Sequence, residues 1–196
     1  MSTVSQADAE RRARFEAIAG EVFEPLQRYL RRRASRDDAA DVLGTSLLTV
    51  WRRLDEVPTD APLPWCYGVA RRTLANHRRG AERHLRLTDR LATLPPTTSP
   101  DPGDAVDEGD PELHAAIATL SDSEAEIVRL WAWEGLEPRE IAIVAGSTAN
   151  AVSVALARAK RKLRDRLDDR ARRQYPPPTG HKVCDSPAGA EQGSER

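Results

Sequence analysis

Residues 136–163 read LEPREIAIVAGSTANAVSVALARAKRKL, and no other part of the sequence is as informative about the fold. A short apolar helix, a turn that contains glycine and a longer helix that becomes basic form the pattern of a helix-turn-helix. Ile141, Val144 and Val152 have the spacing needed to pack the two helices together at a wide angle. Thr148 is placed to cap the second helix, because a threonine hydroxyl accepts a hydrogen bond from a backbone N–H there.

The second helix of this motif divides into two parts. Its early positions are small or polar and suit the major groove, whereas its later positions are basic and suit phosphates. The predicted DNA-contacting residues of the motif are Arg139, Thr148, Asn150, Ser153, Ala157, Arg158, Lys160, Arg161 and Lys162. A helical hairpin with a solvated basic end is the alternative. DNA binding is favoured over it because turn, cap, apolar spacing and charge agree.

Charge is segregated along the 196-residue chain, although the formal net charge is only −1. Residues 26–92 hold 14 Arg and 8 acidic residues, and residues 139–173 hold 10 basic and 4 acidic ones, so each block carries +6. Residues 93–112 between them hold six acids and no base. Two basic modules around an acidic spacer indicate two surfaces for a phosphate backbone, with two solvated helical faces as the alternative.

Helical periodicity runs through both basic blocks, and stretches that alternate as a strand would are nearly absent. The prediction is an all-α protein of two small helical domains joined by a flexible acidic linker. The first domain spans residues 15–92, the linker 93–111 and the second domain 112–170. The polar, proline-rich residues 176–196 are predicted to be a disordered tail.

Several local signals predict where individual helices begin and end. Pro25 is expected to start or kink a helix, and Asp37 and Asp38 to cap the next one, which stops before Pro58. A third helix is expected from about Pro64, followed by a separate short helical piece over residues 85–94. In the second domain Ser121 and Glu124 form a capping box, and the helix that follows has Ile127, Val128, Leu130 and Trp131 as its apolar face.

Several protein classes are excluded or disfavoured. The two cysteines, Cys66 and Cys184, lie far apart and without metal-ligand spacing, so no metal site, cofactor or disulfide framework is predicted. No apolar run is long enough to span a membrane, and the polar N-terminus lacks the apolar core of a signal peptide, so a cytoplasmic location without membrane insertion is expected. No catalytic triad or phosphate loop is present, so no enzyme activity is predicted.

Three segments together resemble the extracytoplasmic-function (ECF) subfamily of sigma-70 RNA polymerase sigma factors. Residues 118–167, which include the helix-turn-helix, are similar to region four of that family nearly end to end. DDAADVLGTSLLTVWRRLDEV, residues 37–57, resembles a helix of its region two. WCYGVARRTLANHRRG, residues 65–80, resembles the helix after it, which the family uses on the minus-ten element. The matches cover about residues 15–167.

The resemblance implies a sigma factor that binds core RNA polymerase and promoter DNA, with an anti-sigma factor as a further partner. It places core-polymerase binding on Asp41, Leu47, Leu48, Trp51 and Arg52, of which Leu47 and Trp51 serve equally well as core residues. It places minus-ten recognition on Arg71, Arg72, Asn76, His77, Arg78 and Arg79, with Trp65, Tyr67 and His77 as possible stacking rings. The helix from Thr148 would read the minus-thirty-five element.

The sequence departs from the family in two places. Gly44–Thr45 stands where the family usually carries Gln-Glu, which removes polar contacts expected at the polymerase interface. Ser153 and Ala155 stand where the family often has Lys or Arg. The alternative function is a helix-turn-helix regulator whose N-terminal domain only dimerises or makes other protein contacts, and a third is a helical adaptor that does not touch DNA. The arginines of residues 71–79 favour the sigma factor, because a dimerisation domain does not need them.

Overall fold

Helices account for the regular structure of both basic blocks. A computed structural model describes residues 2–91 and 111–174, and neither range contains a β-strand. The helices are α1 (Ser2–Arg31), α2 (Arg36–Arg52), α3 (Pro62–Leu91), α4 (Pro111–Ile117), α5 (Asp122–Ala132), α6 (Pro138–Ala145) and α7 (Ala149–Gln174). The all-α prediction is therefore confirmed. The predicted tail, and the predicted linker apart from its last residue, lie outside the described residues.

α1 and α3 are each longer than the local signals predict. α1 continues through Pro25, because buried side chains on both sides of the proline, Val22 and Leu26, offset the hydrogen bond that the ring removes. The separate helical piece predicted after residue 80 is wrong, since α3 runs without a break to Leu91. Gly80 in its interior costs only about 1 kcal/mol relative to alanine, which is too little to end a helix.

Helix α2 begins two residues earlier than a cap at Asp37 would place it. Ser35 is the N-cap, and its hydroxyl accepts a hydrogen bond from the backbone N–H of Asp38 at 3.2 Å. Asp37 and Asp38 lie in the first turn, where their charge favours the positive end of the helix dipole. The prediction that they cap α2 is therefore wrong in register. The helix ends at Arg52 and a short 3-10 turn, Leu54–Glu56, leads to the proline-rich loop.

The helices form one continuous hydrophobic core. α1, α2 and α3 pack on one another, and α7 packs on α4, α5 and α6. α6 also lies directly against α3, so the two halves of the chain share buried surface. No single described helix is long and apolar enough to cross a membrane; α6 and α7 reach that limit only as a pair bent by 105°.

Helix α5 confirms one local prediction and corrects another. Ser121 and Glu124 form the predicted capping box: the Ser121 hydroxyl accepts from the Glu124 backbone, and the Glu124 carboxylate accepts from the Ser121 backbone. Ile127, Val128 and Leu130 are buried as predicted, but Trp131 is exposed and does not belong to the apolar face. Its ring is covered instead by the ammonium group of Lys160.

Gly146 is expected to be sensitive to substitution for reasons of backbone conformation alone. Its φ is +65°, a left-handed conformation, and an added Cβ would meet no atom within 4 Å. Gly146→Ala should therefore lower the free energy of unfolding by about 1–2 kcal/mol. Gly44→Ala is the matched control: its Cβ also enters open space, but it lies inside α2 and should stabilise by about 0.5–1 kcal/mol. Urea denaturation followed by circular dichroism checks both, and equal shifts would contradict the assignment.

Candidate nucleic-acid interface

The helix-turn-helix predicted from residues 136–163 is present. α6 ends at Gly146, whose left-handed conformation turns the chain, and the N–H of Ser147 donates to the carbonyl of Ala142 at 3.0 Å. The Thr148 hydroxyl accepts from the N–H of Ala151 at 3.2 Å, as predicted for the cap of α7. The two helix axes bend by 105°. Ile141, Val144 and Val152 are buried between them, as their spacing predicts.

A second capping box begins the motif. Glu137 is the N-cap of α6, its backbone N–H donates to the Glu140 carboxylate at 2.7 Å, and Pro138 occupies the first turn. Arg139 follows directly and is exposed, with its Nε 3.0 Å from a carboxylate oxygen of Glu137. Arg139 therefore lies at the start of α6, and to contact a phosphate its guanidinium must leave Glu137.

The outward face of α7 is polar at first and basic further along. The inward stripe is Val152, Leu156, Ala159 and Leu163, all of which are buried. At 100° per residue, the positions opposite this stripe are Asn150, Val154, Ala157 and Arg161. The exposed predicted residues on or beside this face are Thr148, Asn150, Ser153, Ala157, Arg158 and Arg161. A face of this width is suited to the major groove.

Two predicted DNA contacts of α7 are turned toward α5 instead. The Lys160 ammonium lies 3.2 Å from the centroid of the Trp131 ring, a cation–π contact. The Lys162 ammonium lies 2.8 Å from both carboxylate oxygens of Glu124. That ion pair, together with the backbone N–H of Ser121, lowers the pKa of the Glu124 carboxyl below its usual value. Both lysines thus tie α7 to α5.

Val154 is a residue of this face that the sequence-based prediction missed. It lies one turn after Asn150 and one turn before Arg158, and 51% of its surface is exposed. A branched apolar side chain so exposed at the centre of a polar face has no core partner to explain it. Counting helical positions from the buried stripe of α7 would have placed Val154 on the outward face.

Helix α3 presents a second exposed basic stripe. Arg72, Asn76 and Arg79 lie on one side, and Arg83, which the prediction omitted, extends the stripe by one turn. Arg79 donates from Nη2 to the Asn76 amide oxygen at 2.9 Å, and Arg72 donates from Nε to the Gly68 carbonyl at 2.9 Å. These contacts hold the guanidinium groups along the helix surface, where a single strand would find a basic track.

The other predicted residues of α3 do not share this stripe. His77 faces α2, with its Nε2 3.5 Å from a carboxylate oxygen of Asp38. Arg78 donates to the backbone carbonyl of Arg33, next to α1. Arg71 is half-buried. The six residues predicted to contact the minus-ten element therefore do not share one surface. Three of them face outward on the basic stripe, His77 faces α2 and Arg78 contacts the residues after α1.

The two aromatic rings predicted near the start of α3 make contacts within the protein that limit their availability for stacking on bases. Tyr67 is buried, and its hydroxyl donates to Glu134 at 3.4 Å. Trp65 is half-buried with the guanidinium of Arg53 5.3 Å from its ring centroid. Of these two rings, Tyr67 belongs to the core and Trp65 retains a partly open face.

The exposed face of α2 brings together three of the five residues predicted to bind polymerase. Asp41, Leu48 and Arg52 are exposed and share one stripe, at spacings of seven and four residues. Leu47 packs against the core. Trp51 is half-buried and meets Phe15 edge to face, with ring centroids 5.3 Å apart. Gly44 and Thr45 are also exposed beside the stripe, so its centre lacks long polar side chains.

Among the described residues, no group of three His, Cys, Asp or Glu side chains is placed to hold a metal ion. Cys66 is fully buried, and burial raises the pKa of its thiol to about 12. Cys184 lies outside the described residues.

Comparisons with known proteins agree with this geometry. Residues 111–163 match the family "Sigma-70, region 4". No curated protein sequence matches the chain. A similar fold occurs in the sigma factor RpoE solved in complex with the anti-sigma factor NepR from Bartonella quintana, at 17% identity and a TM-score of 0.50, covering 83% of this chain and 97% of that one.

Two further solved structures share the fold. CnrH, solved in complex with the cytosolic domain of CnrY, has 22% identity and a TM-score of 0.55 over 84% of this chain and 94% of its own. The PhyRSL–NepR complex from Sphingomonas sp. Fr1 has 15% identity and a TM-score of 0.55 over 92% and 98%. At such identities the likeness establishes a common fold.

The fold and the exposed basic faces define the class first: this is a helical protein built around a helix-turn-helix. Residues 111–163 match region 4 of the sigma-70 family, and the fold of the described residues is similar to that of solved sigma factors, in agreement with the resemblance seen in the sequence. Sigma factors are in general regulators and not enzymes.

Proposed function

We propose that this chain binds core RNA polymerase and directs it to promoters. The observation that carries this proposal is the pairing of a region-four helix-turn-helix, whose outward face is polar and then basic, with a separate exposed basic stripe on α3. A helix-turn-helix alone would support any DNA-binding regulator. The stripe Arg72, Asn76, Arg79 and Arg83 gives the second surface that promoter opening requires.

The surfaces would divide the work by the kind of DNA they fit. The outward face of α7 suits duplex DNA at the minus-thirty-five element, because a helix of this diameter enters the major groove. The basic stripe of α3 suits the melted minus-ten strand, where phosphates and splayed bases are accessible. The exposed stripe of α2, with Asp41, Leu48 and Arg52, is the proposed contact with core polymerase.

The partners follow from the same proposal. RpoE of similar fold was solved with the anti-sigma factor NepR, and this supports an anti-sigma factor as a further partner of this chain. Bacterial transcription takes place in the cytoplasm, so we expect the protein to act there. We expect no catalytic activity, because every surface assigned here binds a macromolecule.

Run-off transcription tests the proposal. Core polymerase with this protein should yield discrete transcripts from a subset of genomic fragments, and core polymerase alone should not. Binding of fragments without any transcript would instead favour the helix-turn-helix regulator. Fragments that are neither transcribed nor bound would favour an adaptor that does not touch DNA.

The α2 stripe is tested by a matched pair of double variants. Asp41→Ala with Arg52→Ala should weaken binding to core polymerase about thirtyfold or more, since truncating interface hot spots costs more than about 1 kcal/mol each. Glu24→Ala with Arg28→Ala is the control, because it also removes one exposed acid and one exposed base, from an ion pair on α1. Equal retention of both variants, with unchanged circular dichroism, would show that the α2 stripe is not the polymerase contact.

Val154 is expected to read a thymine methyl group in the minus-thirty-five element. A methyl–methyl contact in the major groove is worth about 0.8 kcal/mol, or about a fourfold change in affinity. Replacing the contacted thymine by uracil should lower the affinity of the wild-type protein by that factor and leave Val154→Ala unaffected. Fluorescence anisotropy with the promoter found by run-off measures this, scanning one thymine at a time. If no thymine shows the difference, Val154 does not make this contact.

A further inference from the structure

The first turns of α1 contact the end of α2 through three side chains. Arg11, Arg14 and Phe15 share one face of α1, at spacings of three and four residues. The same face continues into Ile18, which is buried. Arg11 and Arg14 are half-buried, whereas Arg12 between them is exposed. The inward face of α1 therefore changes from apolar to basic where it reaches the last turn of α2.

Arg11 caps the end of α2. The last four carbonyls of a helix have no partner within it, and a cation placed there also meets the negative end of the helix dipole. The carbonyl of Thr49 accepts from the N–H of Arg53, whereas that of Trp51 accepts from the Arg11 Nη2 at 2.9 Å. The Arg11 Nη1 also lies 3.1 Å from a carboxylate oxygen of Asp55, whose side chain is 82% exposed. The contact with the backbone is the more sheltered of the two.

Arg14 holds the segment that follows α2. Its Nη2 donates to the carbonyl of Val57 at 2.9 Å, where the 3-10 turn Leu54–Glu56 ends. The N–H of Val57 donates in turn to the carbonyl of Leu54 at 3.2 Å, and the Val57 side chain is buried. The backbone after α2 is therefore fixed by α1 as well as by its own hydrogen bonds.

The ring of Trp51 is held from two directions. The guanidinium carbon of Arg11 lies 5.2 Å from its centroid, a cation–π contact, and Phe15 meets it edge to face at 5.3 Å. Trp51 is half-buried, so part of its surface remains accessible. It is next to Arg52 in sequence and one turn after Leu48, two exposed residues of the α2 stripe. The contacts from α1 thus fix an aromatic ring at the edge of that stripe.

We propose that Arg11 is a positioning residue for the polymerase contact, holding Trp51 and Arg52 in the arrangement that core polymerase binds. This rests on the function proposed above. Tryptophan and arginine side chains dominate the binding energy of many interfaces. Side chains that are already ordered lose less entropy on association. Without Arg11 the last turn of α2 loses its cap, so Trp51 and Arg52 would be ordered only on binding, which lowers the affinity.

Affinity for core polymerase, measured with the full chain, tests this role. Arg11→Met removes the cation and its hydrogen bonds but keeps the side-chain stem, and should weaken binding about tenfold. Arg12→Met makes the same change at the exposed neighbouring position and should alter the affinity less than about twofold. Asp55→Asn removes the exposed ion pair but keeps the contact of Arg11 with Trp51, and should also stay within about twofold.

A double-mutant cycle separates positioning from a loss of stability. Trp51→Leu with Arg52→Ala removes the two side chains that Arg11 is proposed to hold. Adding Arg11→Met to that background should weaken polymerase binding less than about twofold, because nothing is left for Arg11 to position. A general loss of folding would weaken binding by the same factor in both backgrounds, and that result would overturn the proposal.

Fluorine NMR of the free protein, labelled with 5-fluorotryptophan, reports on the Trp51 ring directly. Trp51→Phe assigns its resonance among those of the four tryptophans. Arg11→Met should shift this resonance and leave the other three in place. An unchanged Trp51 resonance, or equal polymerase affinities for Arg11→Met and Arg12→Met, would contradict the positioning role. Failure of the proposed function itself would appear as no polymerase binding by the wild type, with the Trp51 resonance still shifted by Arg11→Met.

Discussion

Replacing Ile141 with alanine should lower the free energy of unfolding by about 2–5 kcal/mol. Ile141 is fully buried between α6 and α7, where the loss of its outer carbons leaves a cavity as well as removing apolar contacts. Because α6 also packs on α3, the loss should reach both halves of the chain. Denaturant unfolding followed at 222 nm measures the change, and DNA binding should fall in parallel as the angle between the helices is lost.

Ile143 supplies the control for this prediction. It has the same side chain, two residues further along the same helix, but 44% of its surface is exposed. Ile143→Ala should therefore change the stability by no more than about 0.5 kcal/mol. If both substitutions cost the same, α6 does not pack through the face that contains Ile141, and the helix-turn-helix geometry described above is wrong.

Removing two charges from the outward face of α7 should weaken DNA binding by about 10- to 100-fold. Arg158→Gln with Arg161→Gln deletes two phosphate contacts, and a charged hydrogen bond is worth about 1.5–3 kcal/mol when buried and less when exposed. The slope of log affinity against log salt concentration should become shallower by about 2. Fluorescence anisotropy with a duplex of any sequence suffices, because phosphate contacts do not depend on base identity.

A double variant of Lys160 and Lys162 tests whether DNA binding depends on where the cations lie on α7 or only on the net charge. Lys160→Gln with Lys162→Gln removes the same two charges from the same helix, but these lysines contact Trp131 and Glu124 on α5. Their loss should change the salt slope much less and should cost some stability. The Glu124 carboxyl, whose pKa is held low mainly by Lys162, should then titrate at higher pH. Equal salt slopes for the two double variants would show that net charge, and not the outward face, governs binding.

The local signals of the sequence were sufficient for the helix-turn-helix. A glycine at the turn, a threonine after it and apolar residues at spacings of three and four act within a few residues of one another. Gly146, Thr148 and Ile141 accordingly have the conformation, hydrogen bond and burial that the pattern predicts. The capping box at Ser121 is equally local, since both of its hydrogen bonds close within four residues.

Helix length was less predictable, because it depends on what a helix packs against. Pro25 disfavours a helix locally, yet α1 passes through it while Val22 and Leu26 are buried on α2 and α3. Ser35 and Asp37 are residue types that both cap helices well, and in the structure the serine is the N-cap. These are differences of about 1–3 kcal/mol, which tertiary burial readily outweighs.

The helical class, the helix-turn-helix and the two blocks of basic charge could all be predicted without a structure, because periodicity, capping and composition act along the chain. The packing of the helices establishes which basic side chains stay on the outward face: Lys162 pairs with Glu124 of α5, whereas Arg161 is exposed. It also brought Arg33 between Glu126 and Glu134, about a hundred residues away. Such pairings depend on how the helices are oriented relative to one another, and no local pattern in a single sequence encodes that orientation.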